Sequence, residues 1–310
     1  MRKFIKWIII CTGAIITVLL LRGFLFSSYS IPSSGMENTL YRGERILVNK
    51  WSYGLRVPLM AITSYHRWHE KPVKLRDVVV FNNPSEIEEP VIDNRKVYVN
   101  RCIGLPGDTL VMDSLLQVSS WKRSGPDRKK LYYYGKDKES QVDSLLNLLS
   151  ITENELVGTK DTIHIRSFSH YEYYLLEQAF TDSLWIVPFT SEKDEILMEW
   201  IVPGKGMNIQ IMPWNATLYH NTIVMHEEKN ARIKNDTIYI NDVPVHSYTF
   251  TKDYYWMGAD NSINLLDSRL FGFVPHDHII GKAAYVLFSK EPETGVTEGY
   301  RWNRFFSRIK

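Results

Sequence analysis

KVYVNRCIGLPGDTLVM (residues 96–112) decides how this chain is read. Its first half alternates apolar and polar side chains, the mark of a half-buried strand. Gly104, Pro106 and Gly107 then turn the backbone into a second apolar strand. Upstream, VKLRDVVVF (73–81) runs from polar to apolar in the same manner, and residues 29–58, with the alternation in ERILVNKW, read as strands. Downstream, NIQIM, ATLYHNTIVMHEE, DTIYINDVPVHSYTF and AAYVLF also read as strands, the third as a hairpin turning at Asn241-Asp242. The expectation is a mainly β protein, its extended antiparallel β domain made of residues 27–112 and 201–310.

Residues 113–200 differ in character. WKRSGPDRKK is a polar loop, KESQVDSLLNLLSI and SHYEYYLLEQAF carry helical spacing, and IHI between them is a short strand. This is a smaller mixed α/β insert. Tyr132–Tyr134 within it reads as strand packing rather than a binding surface.

With 310 residues, 44% of them hydrophobic, the chain has enough material for a sizeable core. The net charge of +2 leaves no footprint for nucleic-acid binding. That charge is unevenly placed. Arg2, Lys3, Lys6 and Arg22 face no acid in residues 1–26, so the rest of the chain carries 33 basic against 35 acidic groups. Cys11 and Cys102 form no disulfide framework, because Cys11 lies in an apolar run.

That run, WIIICTGAIITVLLL from Trp7, extends past Arg22 to Phe26. At about 1.5 Å per residue, residues 7–26 reach across a hydrocarbon layer of roughly 30 Å if Arg22 snorkels. Residues 1–6 then form a basic cytoplasmic start, residues 7–26 a transmembrane helix, and the bulk lies on the extracytoplasmic side of the inner membrane. A cleavable secretory signal ending near Ser28 and Ser30 is the competing reading, and it exports the remainder equally.

No nucleophile elbow, phosphate-binding Gly loop or H-E-x-x-H is present. His276-Asp277-His278 reads as a solvated turn after Pro275 rather than a metal site, since no third ligand is suggested nearby. No metal or cofactor is expected.

Four ordered segments stand out: IPSSGMENTL (31–40) with GERILVNKWSYG (43–54), LRDVVVF (75–81), YVNRCIGLPGD (98–108) and GADNSINLLDSRLFGFVP (258–275). In this order, behind one N-terminal anchor, they resemble the type I signal peptidase (leader peptidase) family, membrane-anchored serine endopeptidases that use a Ser/Lys dyad. The resemblance implies a serine nucleophile directly before the Met of a P-S-x-S-M pattern. Here that position is Gly35, ahead of Met36. It also implies a general-base lysine directly before the Arg of K-R-x-x-G-x-P-G-D, and here that position is Asn100, ahead of Arg101. A lysine becomes such a base when burial disfavours its charged form. An amide accepts no proton near neutral pH.

Ser34 is the neighbouring hydroxyl, but in an extended segment it aims to the face opposite Gly35 unless a bulge re-aims it. Lys96 lies four residues from Asn100 along a strand, and Lys50, a conceivable spatial substitute, reads as solvated. Ser33 matches an oxyanion-hole hydroxyl in the resemblance, with a turn or strand-edge role as the alternative. Against G-D-N-R-x-x-S-x-D-S-R, Ala259, Ser262 and Leu265 replace Gly, Arg and Ser. The serine at the Leu265 position orients the lysine in relatives. Asp267 and Arg269 match a pair resembling a structural salt bridge.

The resemblance thus implies an inactive relative that binds the signal-peptide c-region of exported preproteins by strand addition, or associates with an active signal peptidase or the export machinery. An active signal peptidase using Ser34 is the alternative, and a structural envelope protein a further one. The basic, aromatic tail RWNRFFSRIK (301–310) reads either as lying on the lipid bilayer surface or as a frayed terminus.

Overall fold

The computed structural model describes the chain apart from residues 1, 59, 114–115, 117, 119–128, 152–153, 155, 180–184, 190–196, 228–229 and 262–265. Its centre is a seven-stranded antiparallel sheet of β1 (Phe26–Ser30), β2 (Glu44–Asn49), β3 (Val78–Asn82), β4 (Val97–Gly104), β5 (Tyr254–Gly258), β6 (Val274–Pro275) and β7 (Ile279–Ser289), in the order β1-β2-β7-β3-β4-β5-β6. The run VVVF forms β3 in the middle because both faces of the sheet are covered. Val78 and Val80 enter one core with Ile46, Val48 and Met36, while Val79 and Phe81 enter the opposite one with Tyr255, Met257 and Val274.

The 96–112 stretch folds as its pattern predicts, into β4, a turn with Gly107 at φ 85°, and a short strand Thr109–Met112 that pairs with Met198–Ile201. A third core around Trp200, Tyr219, Phe250 and Trp256 lies beyond it. The hairpin turns at Asn241-Asp242, where Ile240 faces Val243 and both turn residues have positive φ, 51° and 67°.

Residues 130–188 include a four-stranded sheet, the helices α2 (Glu139–Leu148) and α3 (His170–Ala179), and a small core in which Tyr132 and Tyr134 are buried. The tyrosines therefore pack, as strand alternation requires.

Several expectations are corrected. ATLYHNTIVMHEE is not a strand: Ala216–His226 is helix α4. Its β-branched residues suggest a strand, but Ala216, Tyr219, Thr222, Ile223 and His226 are the buried positions, and their spacing is helical. His276–His278 is a buried helical turn rather than a solvated one, with the His278 Nδ1 2.7 Å from Asp277 Oδ1. The tail is not frayed. Ile309 N donates to Ala284 O, Val286 N donates to Ser307 O, and the Arg304 guanidinium holds the buried Glu44 at 2.8 Å.

The apolar N-terminal run is helical from Arg2 to Leu20 (α1), passes into a π-helical turn at Leu21–Leu25, and enters β1 at Phe26. Among the described residues no helix is long and apolar enough to cross a membrane. The single regular helix expected over 7–26 is thus not found in that form: α-helical geometry stops at Leu20, and a π-helical turn carries the chain on to β1.

Candidate functional site

β1 continues its pairing with β2 through Ile31, whose N–H donates to Glu44 O, and Pro32 then removes the next donor. The chain folds into a turn in which Glu37 N donates to Ser34 O at 3.1 Å. Met36 and Leu40 are buried and pin this loop from below, leaving Ser33, Ser34 and Gly35 half-buried. Because Ser34 opens a turn, strand alternation does not govern where it aims, which corrects the premise of an extended segment.

β5 leads to the other side of the site. After it, Asn261 N donates to Gly35 O at 3.0 Å, so the sheet curls until the loop after β1 meets the segment after β5. Asp267 caps the short helical turn Ser268–Phe271 by accepting from Arg269 N. Its carboxylate also accepts from Ala259 N at 3.0 Å and pairs with the Arg269 guanidinium at 2.8 Å, both side chains being buried. Ser268 Oγ accepts from Met257 N, closing the same segment onto β5.

Asn100 faces this segment from β4. It is buried, its Nδ2 donates to Leu266 O at 3.2 Å, and its Oδ1 has no hydrogen-bond partner among the described residues. Arg101 beside it is also buried. Its guanidinium donates to both oxygens of Asp260 at 2.8 Å, to Thr39 Oγ1, and to the main-chain oxygens of Arg76 and Lys310. Gly35 and Asn100 therefore contact one segment, 259–269, at two points. Leu265 and Ser262 lie outside the described residues.

The possible substitutes for a base lie elsewhere. Lys96 is exposed. Lys50 is half-buried rather than solvated, and burial lowers its ammonium pKa, with Arg56 adding to the effect. Its Nζ nonetheless donates to Gly23 O in the π turn. Asn49 is three strands from Asn100 along the row Asn49, Lys282, Val79, Asn100, about 14 Å at ordinary strand spacing.

One charged group at the site escaped the sequence reading. Lys129 is fully buried, and its Nζ lies 3.1 Å from Glu37 Oε2, to which Asn261 Nδ2 also donates at 3.3 Å. Lys129 bridges Asn261 in parallel and approaches Glu172 of α3 at 3.9 Å. The insert is thereby fastened to the Gly35 loop. In sequence Lys129 is one of three consecutive basic residues in a polar loop, so nothing local marks it.

No group of acids, histidines or cysteines among the described residues is arranged to hold a metal ion. The model of the family described as signal peptidase, peptidase S26, matches residues 4–183 and 215–288. The chain belongs to that family. It is 26% identical over 279 residues to Signal peptidase I of Buchnera aphidicola from Schizaphis graminum, covering 88% of this chain and 72% of that protein. It is 25% identical over 325 residues to Signal peptidase I of Haemophilus influenzae, covering 94% and 72%. Signal peptidase I of Pseudomonas fluorescens is 38% identical over 182 residues, covering 55% and 51%. The curled antiparallel sheet is consistent with the mainly β domain expected of a member of this family.

Proposed function

We propose that this signal peptidase relative binds the signal-peptide c-region of exported preproteins without cutting it. The observation that carries the reading is the chemistry of the two positions that the family resemblance assigns to the dyad, both of which contact the segment 259–269. Gly35 offers no nucleophile, and Asn100 is a buried amide with its Nδ2 committed to Leu266. A serine hydrolase that loses either partner loses about a million-fold in turnover.

Backbone geometry supports retained binding. β4 pairs with β3 along Val97–Arg101, but β5 meets β4 only from Arg101 onward. Among the described residues no strand pairs with the other edge of Val97–Asn100. An extended peptide can add there through main-chain hydrogen bonds, which need no dyad. A photo-crosslinker at Tyr98 tests this: capture of a precursor at its cleavage region is the expected outcome, and capture of nothing favours a structural role.

We further propose that α1 and the π turn anchor the chain in the inner membrane with the N-terminus cytoplasmic. Trp7, Ile9, Ile10, Ile15, Val18 and Leu19 are each exposed over at least 60% of their surface, an apolar face that nothing in the described chain covers. The four cations with no acid at this end suit a cytoplasmic start. Alkaline extraction of cell membranes checks it; release of the chain into the wash contradicts it.

A further inference from the structure

A cavity of about 200 Å³ opens beside the last residues of the chain, lined by Arg76, Asp77, Lys282, Arg308 and Lys310 above Val78 and Ile309. Its one side-chain carboxylate is already satisfied. Asp77 is buried, accepts from Tyr53 Oη at 2.9 Å, and is held by the Lys282 ammonium. That leaves Arg76, Arg308 and Lys310, all exposed, and no ion pair among the described residues involves any of them.

The lining is held in place from behind. Arg76 has φ 69°, a left-handed conformation that a non-glycine residue adopts only when its surroundings impose it. Arg76 N donates to Cys102 O at 2.7 Å, while Arg76 O accepts from Arg101 at 2.9 Å. The same Arg101 guanidinium donates to Lys310 O at 3.2 Å. A buried arginine thus fixes the backbone under two of the three free cations.

The cavity also lies at the anchor end of the sheet. Lys282 pairs with Asn49 and Asn49 with Phe26, the residue directly after the π turn. Two strand spacings put Lys282 about 10 Å from Phe26. A cationic cavity at this level faces the headgroup layer if α1 occupies the bilayer.

We infer that this cavity binds the phosphate of an anionic phospholipid headgroup, an inference that rests on the membrane reading of α1. Guanidinium groups match phosphate oxygens two at a time, and several cations beside a membrane favour anionic over zwitterionic lipid. Such a contact would fix the sheet, and with it β4, relative to the membrane surface.

The test uses the full chain in phosphatidylcholine vesicles with and without phosphatidylglycerol. Native mass spectrometry after mild detergent extraction reads the retained lipid. The wild type is expected to keep phosphatidylglycerol over phosphatidylcholine by about tenfold or more. A variant carrying Arg76→Ala, Arg308→Ala and Lys310→Ala should lose that preference while keeping its thermal midpoint. Equal retention by the two proteins, or no preference in the wild type, overturns the inference. If inorganic phosphate raises the wild-type midpoint while no lipid is retained, the site takes a free anion and the lipid assignment fails. Flotation on pure phosphatidylcholine vesicles reads the anchor separately: a chain that does not float refutes the membrane reading, whereas one that floats without lipid preference refutes only the cavity.

Discussion

Lys129 of the insert and Glu37 of the Gly35 loop form a buried ion pair at 3.1 Å. With Asn261 joined to both, it ties three separate parts of the chain at one point. Removing one member leaves the other charge buried, which costs about 3–5 kcal/mol, whereas replacing both with apolar or neutral groups costs far less. Lys129→Met alone should therefore lower the urea midpoint substantially, and adding Glu37→Gln should recover most of it. Equal losses in the single and double variants would show that the pair is not the fastening.

Acid should destabilise the folded chain. His226, His276 and His278 are buried, and burial is the main cause holding each below the usual imidazole pKa, His226 at about 3 and His276 at about 4. Neutral when folded, they take up protons on unfolding once the pH is below about 6.5. The unfolded state then binds more protons, so stability is present above about pH 6.5 and is lost progressively as the pH falls toward 4. Urea midpoints measured from pH 7.5 downward should slope accordingly, and His226→Leu should flatten the slope. A pH-independent midpoint over that window would refute the assignment of neutral buried rings.

Asn100 and Asp267 lie in the same neighbourhood but should respond differently to substitution. Asn100 carries a buried oxygen with no partner among the described residues, so Asn100→Leu exchanges one hydrogen bond for relief of that oxygen and should change stability by only about 1 kcal/mol. Asp267→Ala strands the buried Arg269 and removes the acceptor for two main-chain N–H groups, a loss of about 3–5 kcal/mol. Chemical denaturation of the two variants compares them directly; a larger loss for Asn100→Leu would mean that the amide is a structural element.

Restoring the implied dyad tests the alignment itself. Gly35→Ser with Asn100→Lys should yield cleavage of a signal-peptide substrate that neither single change yields, since a nucleophile and its base act as a unit. Activity in Gly35→Ser alone would reveal another base at the site.

Much of this was legible in local sequence. Alternation in 96–112 and the doubly buried run VVVF predict the central sheet, because a strand's period of two survives in sequence whatever packs against it. The hairpin at Asn241-Asp242 was legible for the same reason: its turn needs residues that tolerate positive φ. Helix α4 was not, since its β-branched residues mask a buried stripe that only the 3.6-residue period exposes. Nor was the burial of His276–His278, or of Lys129. Each is buried by partners distant in sequence, Lys252 and Arg95 for the Asp277-His278 pair and Glu37 for Lys129. The four ordered segments pointed to the family before any geometry was known, yet they did not show that the insert reaches the Gly35 loop.

The central claim is that this signal peptidase relative holds its substrate without cutting it. Incubating the full chain, in detergent or vesicles, with a precursor bearing a signal peptide and following product by mass spectrometry tests it most directly. No product above that formed by the Ser34→Ala variant is the predicted result. Turnover by the wild type that Ser34→Ala abolishes would contradict it.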